Sequence, residues 1–167
     1  MAPRESEVTR VGIGYDSHRF VPGDGVLLGG VRIPAGVALD GHSDADAVCH
    51  AVTDALLGAA AMGDIGTMFP DSDPANRGRS SVEMLRLAAR VLAEAGWTVG
   101  NVDVTVISEI PKIAPARDEI RRNLAAAMSI AADAVFVKGK TNERMGWIGR
   151  SEGLAVVATV LVARQGG

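Results

Sequence analysis

The chain has 167 residues, 47% of them hydrophobic and 22% charged, which is enough for one globular domain with a real core. Its formal net charge is −3, and its lysines and arginines are scattered, which argues against a nucleic-acid partner. No apolar run approaches the roughly 20 residues of a membrane helix, and the single cysteine excludes an intramolecular disulfide, so we expect a cytoplasmic protein without a membrane partner.

The N-terminal third of the sequence predicts a short extension, a strand and a hairpin. Residues 1–9 carry charges and no apolar segment, so they are not a signal peptide, and we expect a poorly ordered extension to a single domain over 1–167. Alternation of apolar residues with glycine and Asp over 11–16 predicts a strand. Residues 27–33 predict a hairpin that turns at a Gly-Gly pair and stops at Pro34.

A first helix is predicted to begin at Ser43, whose hydroxyl caps free N–H groups while Asp46 completes a capping box. Gly63 is expected to end it. Its apolar stripe recurs at helical spacing and consists of Ala45, Val48, Val52, Leu56 and Ala59.

The rest of the chain alternates helices and strands. The predicted elements are a helix from Ser80 to Gly96, a strand over 102–107, a helix over 116–129, and strands over 135–137 and 154–162. The last strand is apolar on both faces, which indicates a central position. The predicted fold is therefore α/β of the α+β type, with a mixed sheet covered by helices on one face and a separate hairpin.

Three residues in this framework form a candidate metal-ligand set. Asp16 and His18 are two apart at the end of the first strand, so their side chains share one face. Gly12 and Gly14 lie on that face and are expected to leave room beside the pair. His50 lies about 160° from Val52 around the first helix, opposite the core stripe.

Two imidazoles and one carboxylate suit Zn²⁺ with a fourth position open for substrate. Asp46 and Asp54 flank His50 on its polar face, and either is expected to accept the second ring N–H of His50. The pattern alone leaves another interpretation open, in which Asp16 caps a turn and both histidines are solvated surface residues.

Two glycine-rich and acidic loops are further candidates for a binding site. Residues 63–66 and 69–74 follow the first helix without periodicity, and they suit either an Asx-rich turn or recognition of hydroxyl groups. Residues 138–153 are expected to be irregular and to bind phosphate through backbone N–H groups and basic side chains, with Glu143 on a hard cation.

Taken together, these segments resemble the 2-C-methyl-D-erythritol 2,4-cyclodiphosphate synthase family, over about residues 10–162. Seven blocks match in the order and spacing of that family. They are Gly12–His18, Leu28–Pro34, His42–Asp46 running through His50 to Gly58, Gly63–Gly66 with Phe69–Pro74, Asn101–Thr105, Pro111–Lys112, and Thr141–Glu143 with Gly146, Gly149–Arg150 and Glu152–Gly153.

The resemblance implies an enzyme of non-mevalonate isoprenoid biosynthesis that converts 4-diphosphocytidyl-2-C-methyl-D-erythritol 2-phosphate to the cyclic 2,4-diphosphate and releases CMP. It implies Zn²⁺, or another divalent cation, on Asp16, His18 and His50. It implies Mg²⁺ or Mn²⁺ on Glu143 together with the substrate diphosphate. It also implies a homotrimer around a threefold axis, with active sites at the subunit interfaces.

The resemblance also implies a set of substrate contacts, with His42 and Thr141 stabilising the transition state. These contacts are His42, Ser43, Asp64, Ile65, Gly66, Phe69, Asp71, Asp73, Ser108, Pro111, Lys112, Ile113, Ala114, Lys140, Thr141, Asn142, Trp147 and Arg150. Two of them depart from the family pattern. Trp147 stands at the threefold cavity where phenylalanine is common, and Lys140 stands where threonine is common, either as a phosphate contact or as a solvated lysine.

Two other functions use the same residues. A zinc-dependent phosphohydrolase would use the metal to activate water and would release inorganic phosphate. A non-catalytic trimer with a structural zinc would need four protein ligands, and the sequence offers three.

Overall fold

Seven strands in two sheets are present in the computed structural model, which describes residues 7–41, 43–70 and 72–165. They are β1 (Glu7–Pro22), β2 (Gly25–Leu28), β3 (Val31–Pro34), β4 (Val37–Leu39), β5 (Thr98–Ile107), β6 (Val135–Lys140) and β7 (Gly153–Gln165). Five of them form one sheet in the order β4-β1-β7-β5-β6, and β2 pairs with β3.

The large sheet is mixed, as predicted. β1 pairs antiparallel with β4 and β7, β5 pairs antiparallel with β7, and β5 and β6 are parallel. The β1–β7 pairing runs from Glu7 opposite Gln165 to Arg19 opposite Gly153. β7 lies between β1 and β5, so the prediction of a central last strand is confirmed.

Helices cover one face of this sheet. They are α1 (Ala47–Ala60), α2 (Ile65–Met68), α3 (Ser81–Glu94), α4 (Arg117–Met128) and α5 (Gly146–Gly149), with 3-10 turns at Pro74–Asn76, Ala114–Ala116 and Ala132–Ala134. α1 packs on β1 and β7, α3 packs on α1, and α4 packs on α3 and β6. No helix among the described residues is long and apolar enough to cross a membrane.

Two glycines of β1 allow α1 to pack closely against this strand. A Cβ on Gly12 would lie 1.9 Å from the backbone oxygen of Ala55, and one on Gly14 would lie 1.8 Å from that of Ala51. Only hydrogen fits between strand and helix at these positions. We expected the glycines to leave room beside Asp16 and His18, and that was wrong: the backbone of α1 fills the space next to the glycines.

The opposite face of the sheet carries exposed apolar side chains. Val11 and Ile13 are each 70% exposed, Tyr15 is 56% exposed and Phe136 is 46% exposed. The alternation in β1 therefore places the glycines toward the helix layer and the large side chains away from it. Exposed apolar side chains grouped on one face in this way mark a candidate surface for association.

The hairpin is confirmed, and it explains where α1 begins. Gly29 and Gly30 have φ of +58° and +73°, which suits the tight turn. Their N–H groups donate to the fully buried carboxylate of Asp46, at 2.8 and 2.7 Å, and the same carboxylate accepts from Cys49 N at 3.1 Å. Asp46 is therefore the N-cap of α1, and the prediction of a start at Ser43 was wrong.

Three other boundaries differ from the prediction. β1 begins at Glu7, so residues 7–9 belong to the sheet, while residues 1–6 lie outside the described part of the chain. The segment after α1 contains the short helix α2, capped by Asp64. The 138–153 segment includes the end of β6 and the single turn α5, so it is less irregular than expected.

Candidate metal centre and neighbouring cavities

Asp16, His18 and His50 converge where β1 meets the first turn of α1. Asp16 and His18 continue the face of β1 that carries Gly12 and Gly14. Because those glycines allow α1 to pack directly against β1, His50 lies beside Asp16 and His18. The sequence prediction that the three residues lie together is thus matched by the fold.

The three side chains approach each other closely and are partly buried. His18 Nε2 lies 2.9 Å from Asp16 Oδ2, and His50 Nδ1 lies 3.2 Å from the same oxygen. The two ring nitrogens are 3.4 Å apart. One ligand atom from each residue lies within 4.8 Å of the others, which is a spacing that one ion can bridge.

The hydrogen bond of His18 on its far side fixes which nitrogen faces the cluster. His18 Nδ1 lies 2.6 Å from the carbonyl oxygen of Asp40. A carbonyl oxygen only accepts, so Nδ1 carries the proton, and a neutral ring directs the Nε2 lone pair at Asp16 and His50. A lone pair beside a carboxylate is unfavourable without a cation, so these residues fit a divalent metal ion.

Electrostatics within the cluster point the same way. Burial favours a higher pKa for Asp16, but hydrogen bonds and attraction from His18 and His50 outweigh it and lower that pKa below 3.8. Burial favours a lower pKa for His18, but Asp16 and the Asp40 carbonyl outweigh it and raise that pKa above 6.5. Both pKa shifts result from the proximity of the Asp16 carboxylate to imidazole.

The second ring nitrogen of His50 is not held by Asp46 or Asp54, so that prediction was wrong. Asp46 is used at the hairpin, and Asp54 Oδ1 accepts from Ile65 N at 2.7 Å. Burial raises the pKa of both carboxyls. His50 Nε2 instead lies 2.9 Å from Ser81 Oγ and 3.1 Å from Ser43 Oγ.

A cavity of about 250 Å³ opens beside the three ligands, and we call it the metal cavity. Its lining includes the predicted Ser43, Ile65, Gly66 and Phe69, and also Gly41, Asn76 and Met84, which the sequence gave no reason to select. Gly41, Asn76 and Met84 are uncharged and belong to none of the sequence motifs.

The carboxylates of the acidic loop are used locally. Asp64 Oδ1 accepts from Thr67 N at 2.7 Å, and the Thr67 hydrogen bonds lower the pKa of Asp64. Asp73 Oδ1 accepts from Ala75 N at 3.0 Å. Both therefore cap turns, one of the two interpretations left open for this loop. His42 and Asp71 lie outside the described residues.

A second cavity, of about 120 Å³, joins the 108–114 segment to the end of β6, and we call it the basic cavity. The residues lining it are Ser108, Pro111, Lys112, Ile113, Ala114, Arg117, Gly139, Lys140 and Thr141. All of the predicted contacts from 108 to 114 line it, and so do Lys140 and Thr141. Arg117 is an additional cation that the sequence analysis did not select.

The loop that carries Glu143 is attached to this region through Glu109. Glu109 Oε1 accepts from Asn142 N at 3.0 Å and from Arg144 N at 3.1 Å. Thr141 Oγ1 donates to Glu143 Oε1 at 2.9 Å. Glu143 and Arg144 have positive φ, so the loop is tightly turned where the carboxylate projects.

Trp147 lines a third cavity, of about 270 Å³, together with Ser17, His18, Arg19 and Glu152. Arg150 lies nearby, with Nε donating to Glu152 Oε1 at 2.6 Å. His18 lines both this cavity and the metal cavity, whereas the metal and basic cavities share no residue. Among the described residues, the three ligands and the Lys112–Lys140 group therefore line different cavities.

Comparison with known proteins gives consistent matches over nearly the whole chain. The sequence model of the YgbB family matches residues 9–163. The 2-C-methyl-D-erythritol 2,4-cyclodiphosphate synthase of Gemmatimonas aurantiaca is 59% identical over 94% of this chain and 95% of its own.

Solved structures agree. The bifunctional IspDF from Campylobacter jejuni matches with a TM-score of 0.92 and 36% identity, over 97% of this chain and 44% of that longer chain. The CDP complex of IspF from Plasmodium falciparum matches with a TM-score of 0.83 and 35% identity, over 94% of this chain and 97% of its own.

Proposed function

The chain belongs to the YgbB family, and from this membership and its close relatives' shared name we propose that it is a 2-C-methyl-D-erythritol 2,4-cyclodiphosphate synthase. It converts 4-diphosphocytidyl-2-C-methyl-D-erythritol 2-phosphate to the cyclic 2,4-diphosphate in non-mevalonate isoprenoid biosynthesis. The observation that carries the assignment is the convergence of Asp16, His18 and His50 beside an open cavity.

The reaction is an intramolecular phosphoryl transfer. An oxygen of the 2-phosphate attacks the β-phosphorus, and the bond from that phosphorus to the bridging oxygen breaks, so CMP leaves with the electron pair. No side-chain nucleophile is required, so the protein acts by positioning and by neutralising charge. Two unit charges 4 Å apart interact by about 4 kcal/mol at an effective dielectric near 20, so neutralising the repulsion between the phosphates is a substantial part of what the site must do.

Asp16, His18 and His50 are proposed to hold Zn²⁺ or another divalent cation, and Glu143 to hold Mg²⁺ or Mn²⁺ with the diphosphate. When bound, such ions polarise the phosphoryl oxygens and stabilise the leaving group. The ligand atoms support the site at Asp16, His18 and His50. The Asp16 carboxylate can only accept, and the Nε2 lone pair of a neutral His18 is directed at the same place, so a cation between them satisfies both. Thr141 supports the second site, because its hydroxyl holds the Glu143 carboxylate in place.

The basic cavity is proposed to receive the cytidine diphosphate portion of the substrate. Lys112, Arg117 and Lys140 give this cavity positive charge suited to phosphates, and residues of the 108–114 segment line its space of about 120 Å³. The complex of a relative with CDP supports this ligand class. Asn142 adjoins the same segment through its N–H bond to Glu109.

The metal cavity is proposed to receive the phosphates and the methylerythritol portion. Ser43, Ile65, Gly66 and Phe69 line it, and Asp64 and Asp73 shape the adjoining loop. His42 and Asp71 complete this set by family match, with His42 and Thr141 stabilising the transition state. Trp147 and Arg150 are proposed to line a cavity at a threefold axis.

A homotrimer with active sites between subunits is proposed on two observations. The metal and basic cavities of one chain share no residue, so a substrate that spans both needs a neighbouring subunit to bring them together. The exposed face of Val11, Ile13 and Tyr15 supplies an apolar surface for that contact. The cytoplasmic location remains a prediction from the sequence.

Product identification tests the assignment. Wild-type protein with the cytidine-diphosphate substrate and both cations should yield CMP and the cyclic diphosphate, while inorganic phosphate as the main product would identify a hydrolase instead.

His50→Ala should remove bound zinc and lower kcat by at least about 100-fold, because one of three ligands is lost. Atomic absorption and an activity assay measure these effects, with Cys49→Ala as a control for a neighbouring buried position. Full activity of metal-stripped His50→Ala would exclude the proposed metal site.

A further inference from the structure

His50 is held on its far side by an array that no part of the proposed mechanism uses. Its Nε2 lies 2.9 Å from the hydroxyl oxygen of Ser81, the fully buried first residue of α3. Asp44 then binds Ser81 twice: Oδ2 accepts from Ser81 N at 3.0 Å, and Oδ1 accepts the short hydrogen bond of the Ser81 hydroxyl. Asp46 N also donates to Asp44 Oδ1, at 3.3 Å.

Counting protons along this array fixes the tautomer of His50. An ionised carboxylate only accepts, so the one hydroxyl proton of Ser81 is given to Asp44. The Ser81 oxygen therefore turns a lone pair toward His50 Nε2, and that nitrogen must carry the ring proton. A neutral His50 is then left with its lone pair on Nδ1, the nitrogen 3.2 Å from Asp16 Oδ2.

Ser43 is compatible with this assignment. Its hydroxyl oxygen lies 3.1 Å from His50 Nε2 and accepts from Ala45 N at 3.2 Å, and its remaining lone pair can accept the same ring proton. Ser81 is the shorter contact, and only Ser81 is anchored to a carboxylate.

We propose that Ser81 and Asp44 are positioning residues for the metal ligand His50: they hold its ring with Nε2 protonated, so that Nδ1 faces the cation. The proposal rests on the proposed function only in requiring that Asp16, His18 and His50 bind a divalent cation. It makes α3, which supplies no ligand, part of the metal site, because Ser81 joins its first turn to α1.

The test measures tautomer and affinity separately. The variants are Ser81→Ala and Asp44→Asn, and the matched control is Ser80→Ala, which removes the N-cap of α3 that binds Glu83 N and leaves the His50 contact intact. Histidine ¹⁵N chemical shifts are recorded in metal-free protein, and Zn²⁺ affinity is measured by competition with a chromophoric chelator. The chain has three histidines, so His50→Ala assigns the resonances.

Metal-free wild type should keep a proton on Nε2 of His50. Ser81→Ala and Asp44→Asn should show a mixture of tautomers and bind Zn²⁺ about 10- to 100-fold more weakly. Ser80→Ala should match the wild type in both measurements and lower only the unfolding temperature.

The proposal is overturned if both variants fold, keep the wild-type tautomer and bind Zn²⁺ within about twofold of the wild type. If Ser81→Ala does not fold, Asp44→Asn decides by the same criteria. Failure of the proposed function has a different signature, in which His50→Ala binds Zn²⁺ as tightly as the wild type does.

Discussion

The three candidate ligands are held in three different ways, and this determines how each responds to change. The backbone carbonyl of Asp40 fixes His18, whereas side chains of two other segments fix His50. Asp16 has only the two imidazoles as partners among its hydrogen bonds in the described residues. Without metal, the histidines therefore stabilise the ionised form of Asp16, and Asp16 stabilises protonated His18.

This coupling predicts a pH window for the metal-free protein. Asp16→Asn should lower stability by about 1.5 kcal/mol, which is typical for a hydrogen bond to a charged group. The contribution of Asp16 is present above its ordinary pKa of 3.8 and is lost as pH falls through its lowered folded value. The contribution of His18 is complete below its ordinary pKa of 6.5 and is lost as pH rises through its raised folded value.

The difference in unfolding temperature between wild type and Asp16→Asn should therefore be largest between about pH 4 and 6.5. Thermal unfolding in a chelator, followed from about pH 2 to about pH 9 so that both flanks of the window are sampled, measures it. A difference that does not vary with pH would contradict the coupling.

Among single residues, the sequence identified the ligands but not what holds them. Asp16, His18 and His50 stand out by residue type and by face. Ser81 lies 31 positions from His50, and only packing of α3 against α1 brings them together, so no local pattern contains that contact. Asp46 was misassigned because its polar helical face is buried by the hairpin, a tertiary contact.

At the level of elements, the β1–α1 contact sets the position of the site. The closest approach is between Gly14 and the backbone of Ala51, one residue beyond His50. Any outward shift of α1 would carry His50 away from Asp16. Stability and metal binding should consequently change together at this contact.

Gly14→Ala tests this dependence. Its Cβ would meet backbone oxygen at 1.8 Å, so α1 must move, and we expect a loss of about 3 kcal/mol together with weaker zinc binding. Gly58→Ala is the matched control, because it has no heavy atom within 4 Å of its Cβ and lies in a helix, where alanine is favourable. Chemical denaturation and zinc titration provide the readouts, and wild-type values for both in Gly14→Ala would refute the dependence.

A second link between elements is Glu109, which attaches the Glu143 loop to the 108–114 segment. Glu109→Ala leaves the N–H groups of Asn142 and Arg144 without their acceptor. We expect the magnesium concentration for half-maximal rate to rise about tenfold, since a lost hydrogen bond of this kind corresponds to about 1–1.5 kcal/mol.

Glu109→Gln keeps an oxygen at the accepting position and should restore most of the magnesium response. Kinetic titration of Mg²⁺ at saturating zinc measures both variants. Equal impairment of the two would mean that the negative charge, rather than the loop geometry, is what matters.

Element types were predictable where periodicity and capping agree, as at Ser80, whose hydroxyl does accept from Glu83 N. The predicted 116–129 helix likewise lies within one residue of α4 at each end. The short helices α2 and α5 were not predicted, because four residues are too few to show helical periodicity. The start of α1 was predicted wrongly because Ala45 adopts a φ of +58°, which breaks the helix there and which the capping pattern does not reveal.

For the whole molecule, the two faces of the sheet have opposite roles. One is buried under helices, and the other presents Val11, Ile13 and Tyr15. Burying a side chain such as isoleucine stabilises by about 1.5–3 kcal/mol, and burying an unpaired carboxylate is strongly unfavourable. The exposed apolar face thus suits association of copies of the chain.

Ile13→Asp should prevent this association while leaving the subunit folded, because the side chain is 70% exposed in the single chain. Sedimentation velocity should show a monomer with wild-type circular dichroism and greatly reduced activity. Arg90→Asp, at an exposed position of α3, is the control and should remain associated. A trimer formed by Ile13→Asp would contradict the role of this face.

The pairing of β1 with β7 has a consequence for the connectivity of the chain. Glu7 and Gln165 are direct partners across neighbouring strands, and such partners lie about 5 Å apart. A bridge of a few residues could therefore join these two strand ends, and new termini could be opened at Gly78, where no heavy atom approaches within 4 Å. Such a circular permutant would keep the β1 and α1 ligands in place, since the site depends on which segments pack together and not on where the chain is cut.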